Sequence, residues 1–369
     1  MKILHIGNIK SGIDTYVRNT ISMSSDDFEF VVVCGADDKC VPFLKNGKEV
    51  KTYTIPMYRA LNPFRDFMSV WKAVKIIKKE KPDIVHCHSA KGGVIGRIAG
   101  FLTKRKTLYT AHAFSFLSAE SSLKQKIFLF LEKVTKFKSI LLGCSQSERE
   151  LGINRVKYSE NRALAWNNAI PTISESDIKE PDDEIKKQRY IISIGRPSYQ
   201  KNPLLMVEIM RIVHEKHPDV KFYLLGVGFY SPMLDEMKAL IAKYNLTDII
   251  ILLPWLSHQE TLGYLKYAEM YLTTSVYEGL PIAVLEALAM KKAVVSSDTI
   301  GNNDCVKDNY NGFLLPMDAK QFADKITILL ENEEIRRQME ANSYSYFESN
   351  FNIANRIGEL ENIYKQIIK

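Results

Sequence analysis

The chain has 369 residues, 46% of them hydrophobic and 25% charged, with a formal net charge of +7. That length exceeds one ordinary domain and suits two, and the apolar content can fill a core in each, which excludes a disordered chain. The mild positive balance fits anionic small ligands or an anionic membrane surface. It is weaker than a nucleic-acid-binding domain carries, so no nucleic-acid partner is expected.

Taken in chain order, the opening MKILHIGNIK has too short an apolar run for a signal peptide and reads as a first strand. Ile3–Ile6, Phe30–Cys34, Ile84–His86, Thr107–Thr110 and Ile140–Cys144 read as strands, with helical patterns between them at Thr15–Ile21 and Phe67–Lys79. Nearly continuous apolar, β-branched strands alternating with amphipathic helices predict parallel sheets in an α/β fold. The polar stretch Thr172–Arg189 interrupts the pattern. It restarts at Tyr190–Ile194, Lys221–Leu225, Ile249–Leu253, Met270–Thr273 and Ala293–Ser296. The expectation is two Rossmann-like α/β domains, residues 1–168 and 169–345, facing one cleft, with a helical tail over 346–369. No stretch reaches the ~18 apolar residues that span a bilayer. Five scattered cysteines, Cys34, Cys40, Cys87, Cys144 and Cys305, form no Cys-x-x-Cys pair. A reducing cytoplasm is expected, without a disulfide framework or cysteine zinc site.

Several residues invite a chemical reading. Gly12 follows the first strand, and two readings stand: a backbone amide close to phosphate, or an ordinary turn. A dinucleotide fingerprint fails, because Gly7 and Gly12 have the wrong spacing and Ser231 stands where Gly226-Val-Gly228 needs a glycine. His86 and His88 alternate around Cys87 with no third ligand at useful spacing, so no metal is expected there. One of them should be packed and the other should face the cleft. In Ser121–Leu141, the residues Leu123, Ile127, Phe130, Leu131, Val134 and Phe137 make one apolar stripe, read as the core face. Phe128 and Leu129 fall among lysines on the other side. They are either partly buried extras or a basic, apolar surface that docks on anionic lipid.

The most informative stretch is TTSVYEGLPIAVLEALAM, Thr273–Met290. Pro281 suits the first position of a helix, and Gly279 permits close backbone approach. Free amides around Leu280, Ile282 and Ala283, with the positive end of the helix dipole, suit an anion. Glu278 precedes the helix, and Glu286 lies ~7 Å further along the axis at ~1.5 Å per residue. Two acids flanking an anion site fit a nucleotide sugar. Arg196 and Lys201, beyond a strand end, could converge on its diphosphate.

These residues carry a resemblance. Glu278-x7-Glu286 with Gly279-Leu280-Pro281 is similar to the C-terminal signature of the family 4 retaining glycosyltransferases, which have the GT-B fold. ISIGRPSYQKNPLLMVE, ending at Glu208, resembles the family's diphosphate-holding segment and implies that role for Arg196 and Lys201. LLGVGFYSPML resembles its Gly-x-Gly turn, with Gly226. ILLPWLSHQETLGYL, with Trp255, resembles the segment beside the nucleotide base. NGFLLP resembles a late Asn-Gly turn. TAHAFSF resembles a loop that sets a histidine, here His112, near the donor sugar. The chain departs from the pattern at Ser11, where a glycine is usual beside Gly12, at Ala113 after His112, at Pro254, and at Asp304.

The resemblance implies transfer of a sugar from a nucleotide diphosphate donor, UDP-sugar by preference, to an acceptor hydroxyl with retention at the anomeric carbon. Glu278 would bind the sugar, Glu286 the ribose, and Gly279–Ile282 the diphosphate. Residues 1–168 would bind the acceptor, 169–345 the donor, and the terminal helix would cross back to the first domain. No metal or other cofactor is required, and no Asp-x-Asp motif is present. A saccharide or lipid-linked saccharide acceptor of surface polysaccharide synthesis is expected, with peripheral contact through 121–141 at the inner face of the plasma membrane. Two rivals share the architecture: a nucleotide-sugar 2-epimerase, which needs no acceptor, and a non-catalytic nucleotide-sugar binding protein.

Overall fold

In the computed structural model, residues 1–36, 41–58, 62–119, 121–228 and 230–369 are described. Cys40, and Phe229 of the Gly-x-Gly stretch, lie outside them. The chain divides into two compact units, Met1–Pro171 with Phe351–Lys369, and Thr172–Asn350.

The first unit contains β1 (Lys2–Gly7), β2 (Glu29–Gly35), β3 (Leu44–Lys45), β4 (Lys48–Glu49), β5 (Lys51–Ile55), β6 (Ile84–His88), β7 (Lys106–Thr110), β8 (Ile140–Gly143) and β9 (Ala163–Ala165). Among the described residues its main sheet runs β5-β2-β1-β6-β7-β8-β9, every pair parallel. Its helices include α1 (Gly12–Met23), α2 (Pro63–Glu80), α3 (Ala90–Leu102), α4 (Ser122–Thr135) and α5 (Gln146–Leu151). One core layer joins Ala73, Val74 and Ile77 of α2 and Ile95 of α3 to Leu4, Val33, Val85 and Tyr109 of the sheet. The opposite layer sets Tyr16, Val17 and Ile21 of α1 and Ile353, Leu360 and Tyr364 of the terminal helix Ile353–Ile368 against Ile3, Val32 and Ile84. β5 and β9 were not read from sequence. β5 is mostly exposed, and β9 is too short to show a period.

The second unit contains β10 (Arg189–Ile194), β11 (Val220–Val227), β12 (Ile250–Pro254), β13 (Met270–Thr273), β14 (Val294–Ser297) and β15 (Gly312–Leu315). They form a parallel sheet in the order β12-β11-β10-β13-β14-β15. Its core draws on Met206, Met210 and Val213 of the Pro203–Lys216 helix and Phe322 and Ile326 of the Ala319–Glu331 helix.

The structure reverses the expected faces of α4. Leu123 is 67% exposed, Phe130 62%, and Ile127 and Val134 45% each, while Phe128 and Leu129 pack against the core. The cause is a buried ion pair. Arg97 of α3 is buried and reaches Glu132 of α4, Nη2 to Oε2 at 2.9 Å; Tyr109 donates to the other carboxylate oxygen at 2.9 Å. An unpaired buried guanidinium would be costly, so Glu132 must face inward, and residues three or four positions away turn in with it. The apolar stripe is left outside.

Candidate active site

The residues singled out in the second unit follow strand ends of its sheet, where parallel α/β sheets place ligands. Arg196 and Lys201 follow β10, Gly226 closes β11, Trp255 follows β12, and Glu278 follows β13. Glu278 is buried and fully engaged. Its Oε1 accepts from Lys201 Nζ at 2.7 Å and from Ser275 Oγ at 2.8 Å, and its Oε2 accepts from Gln200 Nε2 at 2.9 Å. The Gln200–Asn202 turn is tied to the Thr274–Val276 segment: Val276 N donates to Gln200 O at 2.8 Å, and Thr274 Oγ1 donates to the carbonyls of Lys201 and Asn202. Gly301 closes the far side. Its φ is +86°, and a Cβ there would come within 2.8 Å of Glu278 Cβ, so both conformation and space require glycine. Gly195 does the same for Lys201, whose Cε would meet a Cβ at 2.9 Å.

Glu286 is also buried, but it joins a different group. Its Oε1 accepts from His258 Nε2 at 2.8 Å. That bond, followed by the charge of Glu286 and Asp177, raises the His258 pKa against the opposing effect of burial. His258 opens the His258–Tyr267 helix behind the capping box of Ser257 and Glu260. The Ser-x-x-Glu pattern marks that helix start in sequence, but nothing local points to a partnership across 28 residues.

The helix Ile282–Ala289 starts between the two acids and carries Glu286. Pro281 occupies its N-cap, with φ −73° and ψ 115°, one position earlier than expected. The amides of Val284 and Leu285 donate to Pro281 O, so those of Ile282 and Ala283 lie ahead of the first intrahelical bond and can take an anion. Gly279 and Leu280 are buried at this approach. Trp255 is 66% exposed, beside Gly228, where a Cβ would come within 2.9 Å of the indole. Gly226 has φ +100° and sits against the backbone of Gly195 and Arg196.

In the first unit, Gly12 is the first residue of α1, not a residue ahead of it. Ser11, standing where the family has a glycine, carries the positive φ of 50°. His112 and Ala113 both have positive φ, 51° and 74°. Glu148 of α5 holds this strained pair: buried, it accepts from Ala113 N at 2.7 Å and from Cys144 N at 2.9 Å. Gln200, Ser275, His258, Gly301 and Glu148 are the supporting residues that sequence reading passed over.

His86 and His88 are both fully buried, which corrects the expectation that one is packed and the other faces the cleft. A third imidazole does join them. His5 of β1, in register with His86, brings ring nitrogens of all three within 4.8 Å of one another. All of the six ring nitrogens but His5 Nε2 are already committed. His86 bonds Tyr364 Oη at 2.9 Å and Thr110 Oγ1 at 3.0 Å; His88 bonds His5 at 2.8 Å and His112 at 3.0 Å. A metal ion would have to displace this network. Cys34, Cys87, Cys144 and Cys305 are buried free thiols.

Residues 174–346 match the family model described as Glycosyl transferases group 1, and residues 10–174 match Glycosyltransferase Family 4. The chain belongs to the family 4 glycosyltransferases. It is 26% identical over 360 residues to the UDP-Gal:alpha-D-GlcNAc-diphosphoundecaprenol alpha-1,3-galactosyltransferase of Escherichia coli, covering 94% of this chain and 91% of that one. It is 25% identical to the capsular polysaccharide biosynthesis glycosyltransferase CapM of Staphylococcus aureus, covering 96% of each. Among solved structures, sucrose-phosphate synthase from Thermosynechococcus elongatus superposes with a TM-score of 0.83 at 17% identity, covering 100% of this chain and 99% of that one. HepE of Anabaena, in complex with UDP and glucose, superposes with a TM-score of 0.80 at 17% identity, covering 99% of each. The fold is GT-B, and the protein is a glycosyltransferase. Among the described residues no helix is long and apolar enough to cross a membrane.

Proposed function

We propose that this glycosyltransferase is a retaining enzyme that moves a sugar from a uridine diphosphate sugar to a saccharide or lipid-linked saccharide hydroxyl, in surface polysaccharide synthesis. The observation that carries the reading is the pair of buried acids on either side of one helix start, each with its own basic hydrogen-bond partner, Glu278 with Lys201 and Glu286 with His258. The amides at the start of the Ile282–Ala289 helix, with Arg196 and Lys201, would take the diphosphate. Glu278 would bind the sugar, and Glu286, oriented by His258, the ribose. Trp255, with Gly226 behind it, would lie beside the base. Gly12 and His112 of the first unit would meet the phosphate and the donor sugar. The acceptor oxygen bonds to the anomeric carbon from the face the phosphate leaves, and its proton passes to the departing phosphate oxygen. The protein's share is positioning and charge stabilisation, with no cofactor in the step. The activities for which the E. coli and S. aureus relatives are named, and the UDP and glucose held by HepE, support the donor and the pathway.

Calorimetric titration of UDP, GDP and ADP tests the donor site. UDP alone should bind at micromolar strength, and Glu286→Ala should weaken it by ~1.5–3 kcal/mol, the worth of a hydrogen bond to a charged group. Binding by none of the three would remove the donor-site assignment.

The proposal extends to peripheral contact with the inner face of the plasma membrane. α2 exposes Phe64 (73%), Phe67 (70%) and Trp71 (55%), and α4 exposes Leu123, Ile127 and Phe130, on helices that also carry Lys72, Lys75, Lys124 and Lys126. Apolar anchors beside lysines suit an anionic lipid surface. The protein should co-sediment with anionic phospholipid vesicles. Phe67→Glu with Phe130→Glu should abolish this, and unchanged sedimentation would exclude the contact.

A further inference from the structure

The buried histidines of the first unit do more than pack. We propose that His5, His88 and His112 form a tautomer relay, in which hydrogen bonds running from His5 through His88 fix His112 as a neutral imidazole presenting Nδ1–H, a donor and not a base, to an oxygen of its ligand. The ligand-facing role of His112 rests on the donor-site reading above; the relay itself does not.

The geometry allows two directions only. His5 Nδ1 lies 2.8 Å from His88 Nε2, and His88 Nδ1 lies 3.0 Å from His112 Nε2. Burial lowers the pKa of His5 and His112 to about 3 and holds His88 well below its ordinary value, so all three rings are neutral near pH 7. A neutral imidazole carries one N–H and one lone pair. Two contacts between three such rings therefore lock all three into the same tautomer. Either every ring is Nδ1–H, with donation running from His5 outward, or every ring is Nε2–H, with donation running inward.

The inner end decides. Among the described residues His5 Nε2 has no hydrogen-bond partner although it is buried, and its ring stacks on Phe30 at 5.6 Å. The inward direction would strand an N–H donor there. The outward direction leaves only a lone pair, and orphaned buried donors are the rarer defect. At the other end His112 is partly buried, so its Nδ1–H can reach a ligand or water. His86 stays outside the relay because Tyr364 and Thr110 hold both of its nitrogens. Tyr16 packs edge-on against the His112 ring, centroids 5.0 Å apart, and fixes its plane. His5 and His88 are thus positioning residues that act through His112. As a donor, His112 suits a sugar hydroxyl or phosphate oxygen and is unfit to take the acceptor's proton at Nδ1, which already carries one.

The test is spectroscopic. In the full chain, 15N-labelled at histidine, long-range proton–nitrogen correlation at neutral pH reads the tautomer of each ring, with assignments from single substitutions. His5, His88 and His112 should all be Nδ1–H, opposite to the form free histidine favours. Nε2–H at His88 or His112 in the wild type overturns the proposal. In His5→Phe, which keeps the stacking on Phe30, His88 Nε2 becomes the buried inner end and the same rule applies, so both remaining rings should stay Nδ1–H; a shift of either ring to Nε2–H overturns the relay. If that variant does not fold, the wild-type spectrum still decides. Neither readout needs a sugar donor, so failure of the relay and failure of the donor-site reading are separate results.

Discussion

Glu278 and His88 both sit at strand ends, and both are buried, yet their polar atoms are satisfied by opposite means. Glu278 joins an ion pair with Lys201, helped by Ser275 and Gln200. His88 is kept neutral by burial and hydrogen-bonds two other rings, one through each of its nitrogens. Charged wiring suits a site that meets a charged ligand, since Lys201 can exchange part of its carboxylate partnership for phosphate. Neutral wiring suits a site that must hold one hydrogen-bond direction without attracting ions. The second unit therefore answers to charge, and the first to proton placement.

Breaking the charged side should have the largest effect. Glu278→Ala removes three side-chain hydrogen bonds and leaves Lys201 without its carboxylate. Turnover with a UDP-sugar should fall on the order of 10²–10³-fold, the scale of losing a preorganised electrostatic group. A double-mutant cycle with Lys201→Ala should show a coupling of ~1.5–3 kcal/mol in thermal or denaturant unfolding, as for a hydrogen bond to a charged group. Additive losses would mean that the pair does not act as a unit.

Acid should separate the two regions next. The folded values of His5 and His112, about 3, lie far below the ordinary 6.5. Between those values the unfolded chain binds more protons, so this contribution is complete above pH 6.5 and drains away as pH falls, by about 1.4 kcal/mol per pH unit for each fully shifted histidine. His258 has the opposite sign. Its raised folded value makes its contact with Glu286 fully present below 6.5 and lost as pH rises through that folded value. Melting followed from pH 5 to 9 should show His5→Phe less acid-sensitive than wild type. His258→Gln should differ from wild type most at the acid end and least at the alkaline end.

The contrast also explains what could be read from sequence. Strand–helix alternation revealed most strands of both sheets, because parallel strands buried on two faces write themselves as apolar runs; β5, β9 and β15 escaped it. Glu278, Gly279, Pro281 and Glu286 share one turn and one helix, so their relation is local in the chain. The relay is assembled from β1, β6 and the loop after β7, and only β-sheet register sets His5 beside His86. His258 reaches Glu286 across 28 residues of sequence, and Gln200 reaches Glu278 across 78. The face of α4 was misread for the same reason: its orientation is dictated by Arg97 on another helix, and a helical wheel contains no information about a neighbour's charge.

The smallest effects sharpen the comparison within the His112 loop. Glu148 bonds the amides of Ala113 and Cys144 with its two carboxylate oxygens. Glu148→Gln replaces one acceptor by a donor facing an N–H, and should destabilise the protein by ~1–3 kcal/mol, the cost of a buried group left unsatisfied. Ala113 has φ +74°, where an L side chain costs ~1–2 kcal/mol. The flexible unfolded chain of a glycine variant gives back ~0.5–1 kcal/mol of that relief. Ala113→Gly should thus stabilise the protein by about 0.5–1 kcal/mol in denaturant unfolding. In a Glu148→Gln background the gain should shrink, because the loop is then free to relax its backbone and the strain that glycine relieves is no longer enforced. Equal gains in both backgrounds would show that Glu148 fixes hydrogen bonds at this loop without holding its conformation.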